Sequence, residues 1–260
     1  MVARFDGRNP RAEQVARDLS SKLVTNIIND QREAIRAVIE EGITKGRGPR
    51  DTALDIVGRV NRATGKREGT ILGLHSGQIR VWSKINDALD TAEGARSLLI
   101  KDQATGKWKP ALKSINKATF NRLVSAVGRG EALSKADKAL SMRQITNGLL
   151  KERGDMIART ETIASLNAGR NEGIQQLIDA GRITEDQVVK VWDSTGADGR
   201  TRDTHLGMEN QRKRLGEPFI SPSGARMMHP GDTSLQAPGS ETINCRCLVR
   251  YDLDFYRGLK

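Results

Sequence analysis

Asp155-Met-Ile-Ala-Arg159-Thr-Glu161-Thr-Ile-Ala-Ser-Leu-Asn167-Ala-Gly-Arg170-Asn-Glu-Gly-Ile-Gln-Gln-Leu-Ile-Asp-Ala180 is the stretch on which the fold turns. At about 100° per residue, Met156, Ile163, Leu166, Ile174, Leu177 and Ile178 share a stripe roughly 120° wide, which predicts an amphipathic helix. Gly181 follows as a natural C-cap. The same projection puts Arg159, Thr160, Asn167 and Arg170 on the buried side and turns Glu161 and Glu172 outward. An arginine on such a stripe lays its stem on the core and sends its guanidinium to the rim or to a carboxylate. Arg159 or Arg170 is therefore expected to pair with Asp203 or Asp232.

After Gly181 the pattern changes. Gln187-Val-Val-Lys-Val-Trp-Asp193 and Cys245-Arg-Cys-Leu-Val-Arg-Tyr251 read as strands, and turn residues dominate between them: Gly196, Gly199, Pro218, Pro222, Gly224, Pro230-Gly231 and Pro238-Gly239. A small sheet with long loops docked on the preceding helix is expected. The class is α+β with helix in excess.

Upstream, Val15, Leu19, Leu23, Ile27 and Ile35 recur at multiples of four and predict a helix over 11–41 that stops at Gly42. Lys45-Gly-Arg-Gly-Pro-Arg50 reads as a basic hinge. Helices are predicted over 51–62, 70–101, 114–127 and 134–153, the last opened by Ser134 as N-cap, with a turn-rich break at 102–110. Two regions result: a basic, mainly helical one over 1–154 and a loop-rich helix-plus-sheet module over 155–260.

Charge is unevenly spread. The chain carries 43 Lys+Arg against 32 Asp+Glu, a net +11; residues 1–181 hold 31 basic and 21 acidic side chains, residues 182–260 hold 12 and 11. Such a field attracts polyanions, with nucleic acid the commonest; the competing reading is a solvated, Arg-rich helical surface with no specific partner. Phe5, Trp82, Trp108 and Phe120 are too scattered to form a single-strand stacking platform, so DNA contact would go to phosphates without sequence readout. Arg47, Arg50, Arg59, Arg62, Lys66 and Arg67 are the expected phosphate contacts. The first residues lack the apolar run of a signal peptide and no window is apolar for the length of a bilayer, so a protein made in a cytosol, with no membrane partner, is expected.

The chemistry concentrates at the C-terminal end, where both cysteines and two of the three histidines fall. Cys245 and Cys247, two apart on an expected strand, would face the same way, which favours joint ligation over mutual oxidation. With His205 and His229 they offer a Cys2His2 zinc set, although the spacing matches no standard zinc module. The bland alternative is a pair of small buried cysteines beneath loop hydrogen bonds. An Asp-His acid/base pair can be drawn from Asp203 with His205 or from Asp232 with His229, and a Cys-His dyad from His205 with either cysteine. There is no G-x-S-x-G elbow, phosphate loop or H-E-x-x-H motif, so no catalytic residue is assigned and a non-enzyme is expected.

Taken in order, Arg159-Thr-Glu161, Lys190-Val-Trp192, Arg200-Thr-Arg-Asp203-Thr-His205, Glu217-Pro-Phe219, Pro230-Gly-Asp232 and Ile243-Asn244-Cys245-Arg-Cys247 resemble the phage Mu protein F-like head morphogenesis family over about 155–250. The resemblance implies a minor capsid protein of a tailed bacteriophage, a low-copy structural component of the virion head at or near the portal vertex. Its implied partners are portal protein, major capsid protein and packaged double-stranded DNA bound without sequence preference; no small-molecule substrate is implied. The alternative is a nuclease or toxin-like hydrolase centred on His205, Cys245 and Cys247.

Overall fold

The computed structural model describes residues 29–65, 67–69, 72–195 and 199–254. The part of the expected first helix over 11–28, together with Phe5 and Lys66, lies outside the described residues. The chain forms two compact units. One is Leu54–Gly154; the other joins Asp155–Lys260 to the residues that precede Leu54. Residues 29–53 thus group with the C-terminal unit and not with 54–154, which differs from the front boundary expected from sequence. Amphipathic patterning shows that a helix has a face to bury but not which neighbour covers it.

Two helices open the described chain, α1 (Asn29–Thr44) and α2 (Pro49–Val57), the second running across the boundary at Leu54. Helix α1 passes through Gly42 to Thr44, since one glycine costs about 1 kcal/mol and does not by itself stop a helix. Helix α2 ends at Val57, earlier than expected, and Arg59–Val60 (β1) pairs instead with Arg67–Glu68 (β2).

Within 54–154, the expected 70–101 helix is broken into α3 (Ser76–Ala88) and α4 (Ala92–Ser97). Thr91 starts α4 by accepting the Gly94 N–H, a local bond that competes with helix continuation. A hairpin follows: β3 (Leu99–Lys101) pairs antiparallel with β4 (Trp108–Pro110), closed by Asp102, which accepts the Ala104 and Thr105 N–H groups. Helix α5 (Lys117–Gly128) is capped by Asn116. The core of this unit is aliphatic: Ile85, Leu89, Leu98, Leu99, Ile115, Leu123, Ile145 and Leu149, with Trp82, Trp108 and Phe120 packed against it. Gly148 permits the close approach of Ser114, whose carbonyl oxygen would lie 2.6 Å from an added Cβ.

Lys135–Asp179 is one helix, α6, where two were expected. Ser134 accepts the Asp137 N–H at its start, and Gly181, at φ +66°, lets the Gly181 and Arg182 N–H groups bond back to Ile178 and Leu177 at its end. Gly154, between the two expected helices, is buried within it. Downstream, β5 (Val188–Asp193) is the middle strand of an antiparallel sheet in the order β6-β5-β9, flanked by β6 (Arg212–Arg214) and β9 (Leu248–Leu253). A second hairpin joins β7 (Phe219–Ile220) to β8 (Arg226–Met227), and two four-residue helices, α7 (Asp203–Leu206) and α8 (Gly239–Thr242), interrupt the loops. The α+β class is as expected, with helix in excess. Cys245 and Cys247 precede the last strand instead of opening it.

Candidate functional site

The C-terminal module is tied to α6 by polar side chains set three to four residues apart. Residues 160, 164, 167 and 171 occupy one face of a helix, and between them they meet the Pro230-Gly231 turn and the 244–251 segment. Thr160 Oγ1 accepts the Asn244 N–H at 2.8 Å, and Arg159 donates to the Asn244 side chain at 3.3 Å. Ala164 abuts the Pro230-Gly231 turn so closely that a Cβ on Gly231, itself at φ +81°, would sit 3.1 Å away. Asn167, fully buried, donates to the Pro230 and Cys247 carbonyls and accepts the Val249 N–H, all at 3.0–3.1 Å. Asn171 accepts the Tyr251 hydroxyl at 3.0 Å, and burial pushes the ionisation of that hydroxyl up.

The arginine expectation is corrected by this geometry. Arg159 meets Asn244 and Arg170 the Val249 carbonyl at 3.5 Å, not Asp203 or Asp232. Asp232 instead knots its own loop, accepting from Met228 N, Ser234 N and Ser234 Oγ. Glu161 is also corrected: it is buried, not turned outward. The projection weighs only apolar residues, and this segment is buried on most sides, with Ala158, Thr162, Ala164, Ser165 and Ala168 buried as well.

Asn244 adopts the left-handed conformation, φ 58°, which asparagine tolerates better than most residues. Held from α6 at both backbone and side chain, it redirects the chain so that Cys245 and Cys247 both approach the imidazole of His205. Nδ1 of His205 lies 3.3 Å from Cys247 Sγ and 3.6 Å from Cys245 Sγ. All three residues are at most 2% exposed, and both thiols are free. The Cys247 thiol donates to Cys245 and, against the opposing effect of burial, lowers the Cys245 pKa. The Cys247 pKa is correspondingly raised by that hydrogen bond and by burial. The Trp192 ring stands edge-on to the imidazole at 5.3 Å and to Phe219 at 5.3 Å, walling the cluster with apolar surface.

Glu241 is the member that sequence reasoning missed. Its Oε2 lies 3.0 Å from His205 Nε2, within ion-pair reach but not aligned as a hydrogen bond. Thr204 donates to Oε2 at 3.0 Å and Ser223 to Oε1 at 2.6 Å. Burial raises the Glu241 pKa, but these donors and the imidazole outweigh it and hold the carboxyl below its usual range. Arg202 braces the same corner by donating to the Glu241 and Ile243 carbonyls. An acid four residues ahead of Cys245 was a usable signal.

Not every expected ligand joins. His229 Nδ1 lies 3.2 Å from the Pro230 carbonyl oxygen and is not part of the cluster. Asp203 is exposed at the start of α7, so the carboxylate that His205 meets is Glu241. Lys190, another residue missed as a site element, is buried in β5: its ammonium donates to the Met228 carbonyl at 2.9 Å and stands 5.2 Å from the Phe219 ring. Burial lowers its pKa to about 8 despite the opposing pull of Asp232 and Glu217.

The expected phosphate contacts have mixed roles. Arg67 turns inward and donates to the Val57, Gly58 and Asn147 carbonyls, acting as a strut. Arg59 pairs with Asp55 and Arg47 with Glu41. Arg50 and Arg62 are exposed.

The arrangement defines an α+β module in which one helix buries polar side chains to hold a Cys/His loop. The chain belongs to the family described as Phage Mu protein F like protein, whose sequence model matches residues 118–250. The match starts well upstream of residue 155 and takes in α5 and the first half of α6, regions that the motifs alone had left outside. This is a family of bacteriophage head morphogenesis proteins, components of the phage head. No curated protein and no solved structure matches the chain. Among the described residues, no helix is long and apolar enough to cross a membrane.

Proposed function

We propose that this protein is a minor head protein acting at or near the portal vertex. In this reading the 155–254 module docks on portal or major capsid protein, and residues 54–154 contact phosphates of packaged double-stranded DNA. The observation that carries the DNA contact is where the charge sits. Residues 54–154 hold 19 basic and 9 acidic side chains, while the rest of the chain holds 24 and 23. Nearly all of the +11 therefore belongs to one unit, and such a field supports sequence-independent attraction to a polyanion.

Local structure sharpens the choice of contacts. The β3–β4 hairpin and the approach to α5 carry Lys101, Lys107, Lys109, Lys113 and Lys117, all exposed, with Asp102 the one acid in that span. Among the described residues, only Lys109 of these five is ion-paired, to Asp102 at 3.5 Å. These lysines are better disposed to phosphate than Arg67, whose guanidinium is committed to carbonyls.

Filter binding of the full chain to unrelated duplexes at increasing salt tests the DNA contact. Affinity is expected to fall steeply with salt and to ignore sequence. Replacing Lys101, Lys107, Lys113 and Lys117 with Gln should flatten the log–log salt slope by about 0.9 for each phosphate that is no longer neutralised. Salt-insensitive binding, or none, refutes the DNA contact. Mature particles lacking this polypeptide by mass spectrometry refute the virion role.

A hydrolase centred on His205, Cys245 and Cys247 is the second reading, supported by the 3.3 Å imidazole–thiol contact. Its substrate would have to reach side chains at most 2% exposed. A turnover abolished by His205→Ala is the result it requires.

A further inference from the structure

We propose that His205, Cys245 and Cys247 bind one zinc ion, through Nδ1 and the two Sγ atoms. The three ligand atoms lie within 4.8 Å of one another. Tetrahedral zinc with ordinary Zn–S and Zn–N bonds sets a nitrogen–sulfur edge of about 3.6 Å. The two observed nitrogen–sulfur edges, 3.3 and 3.6 Å, are close to that spacing. Here the left-handed Asn244, anchored by Arg159 and Thr160, and the Cys247 carbonyl, held by Asn167, fix the loop before any ion arrives.

The surroundings of the imidazole agree with the choice of nitrogen. Glu241 Oε2 stands 3.0 Å from Nε2, on the far side of the ring from the thiols. A carboxylate at that distance favours the tautomer with its hydrogen on Nε2, which leaves the Nδ1 lone pair facing the sulfurs, much as second-sphere carboxylates orient histidine on zinc. Ser223 and Thr204 in turn hold Glu241.

Donor chemistry selects the ion. Two thiolates and one imidazole are soft to borderline ligands that favour zinc over magnesium or calcium. The fourth position opens on a pocket of about 100 Å³ lined by the three ligands with Arg200, Thr201, Arg202, Asn244 and Arg246. One water, with a share of liquid volume near 30 Å³, fits that space and completes the tetrahedron. The ion would also do structural work: it crosslinks α7 to the segment entering β9.

The test uses the full chain purified under reducing conditions from zinc-supplemented medium. Elemental analysis should return roughly one zinc per chain, absent from the Cys245→Ser/Cys247→Ser double variant. Cobalt substitution should give a thiolate-to-cobalt charge-transfer band with visible bands of tetrahedral intensity. Because the double variant can fail to fold, a second measurement is made on the unaltered protein. Both thiols should resist alkylation until a strong chelator is added, and the thermal midpoint should then drop by on the order of 10 °C and recover with zinc. Protection that ignores the chelator, protein that carries no stoichiometric metal, a different metal in place of zinc, zinc retained by the double variant, or a Cys245–Cys247 disulfide in the reduced preparation would each overturn the site.

Discussion

Residues 54–154 bury a continuous aliphatic cluster braced by scattered side-chain hydrogen bonds such as Gln78 to the Leu149 carbonyl and Trp82 to Thr146, whereas in residues 155–254 the same long helix concentrates Thr160, Asn167 and Asn171 on the Pro230 turn and the 244–251 segment. The first solution tolerates exchange of one aliphatic residue for another. The second demands particular donors and acceptors, because each buried polar group left without its partner costs about 1–3 kcal/mol. That contrast explains why recognisable motifs crowd the C-terminal module: Arg159-Thr160, Asn244 and the cysteines are joined by specific bonds. The basic unit, held by area, leaves its exposed lysines open to a partner.

The sharpest way to break this comparison is Asn167→Ala. Three hydrogen bonds vanish at once, and the Pro230 and Cys247 carbonyls and the Val249 N–H stay buried; a loss of about 3–5 kcal/mol in urea unfolding is expected. A loss below about 1 kcal/mol would mean that the module is held by apolar contact after all.

Lys190 gives a pH-dependent version of the same point. Its folded pKa of about 8 lies below the ordinary 10.5, so the folded state resists protonation. Below pH 8 the ammonium is charged in both states and its burial costs about 3 kcal/mol; between 8 and 10.5 the unfolded chain binds the extra proton and stability rises with pH. Denaturation midpoints measured across that window should climb in the unaltered protein and stay flat for this residue's contribution in Lys190→Met. An equal climb in both proteins would show that the ammonium is not strained.

The smallest effect belongs to the aliphatic unit. Asn116→Ala removes the cap on α5 and should cost about 1 kcal/mol, with Asn116→Ser restoring most of it. A cost as large as that of Asn167→Ala would erase the distinction between the two halves.

Much of the helix framework was legible in the chain. Ser134 and Gly181 act locally, through one side-chain oxygen and one missing Cβ, and both bound α6 where the sequence put them. Gly154 and Gly42 misled, because a single glycine inside a helix is a modest penalty that packing overrides. At the site, the sequence brought His205, Cys245 and Cys247 to notice by residue type, and the fold does bring them together. His229 has the same chemistry and a similar setting in sequence, yet its loop points it at the Pro230 carbonyl. Glu241 was passed over although it lies only four residues ahead of Cys245, and Lys190, quoted within the Lys190-Val-Trp192 motif, gave no sign by residue type that its ammonium would be buried.

By itself, then, the sequence determined periodicity, caps, charge placement and the ordered motifs, because each is set by residues a few positions apart or by residue type alone. The tertiary structure decided which carboxylate faces His205, which arginine is a strut, and which helices share a unit. Those outcomes depend on chain segments far apart in sequence, such as Thr204 with Glu241 or Arg159 with Asn244, meeting at bonding distance. Hydrogen bonds are made between neighbours in space, and only the packed chain defines who those neighbours are.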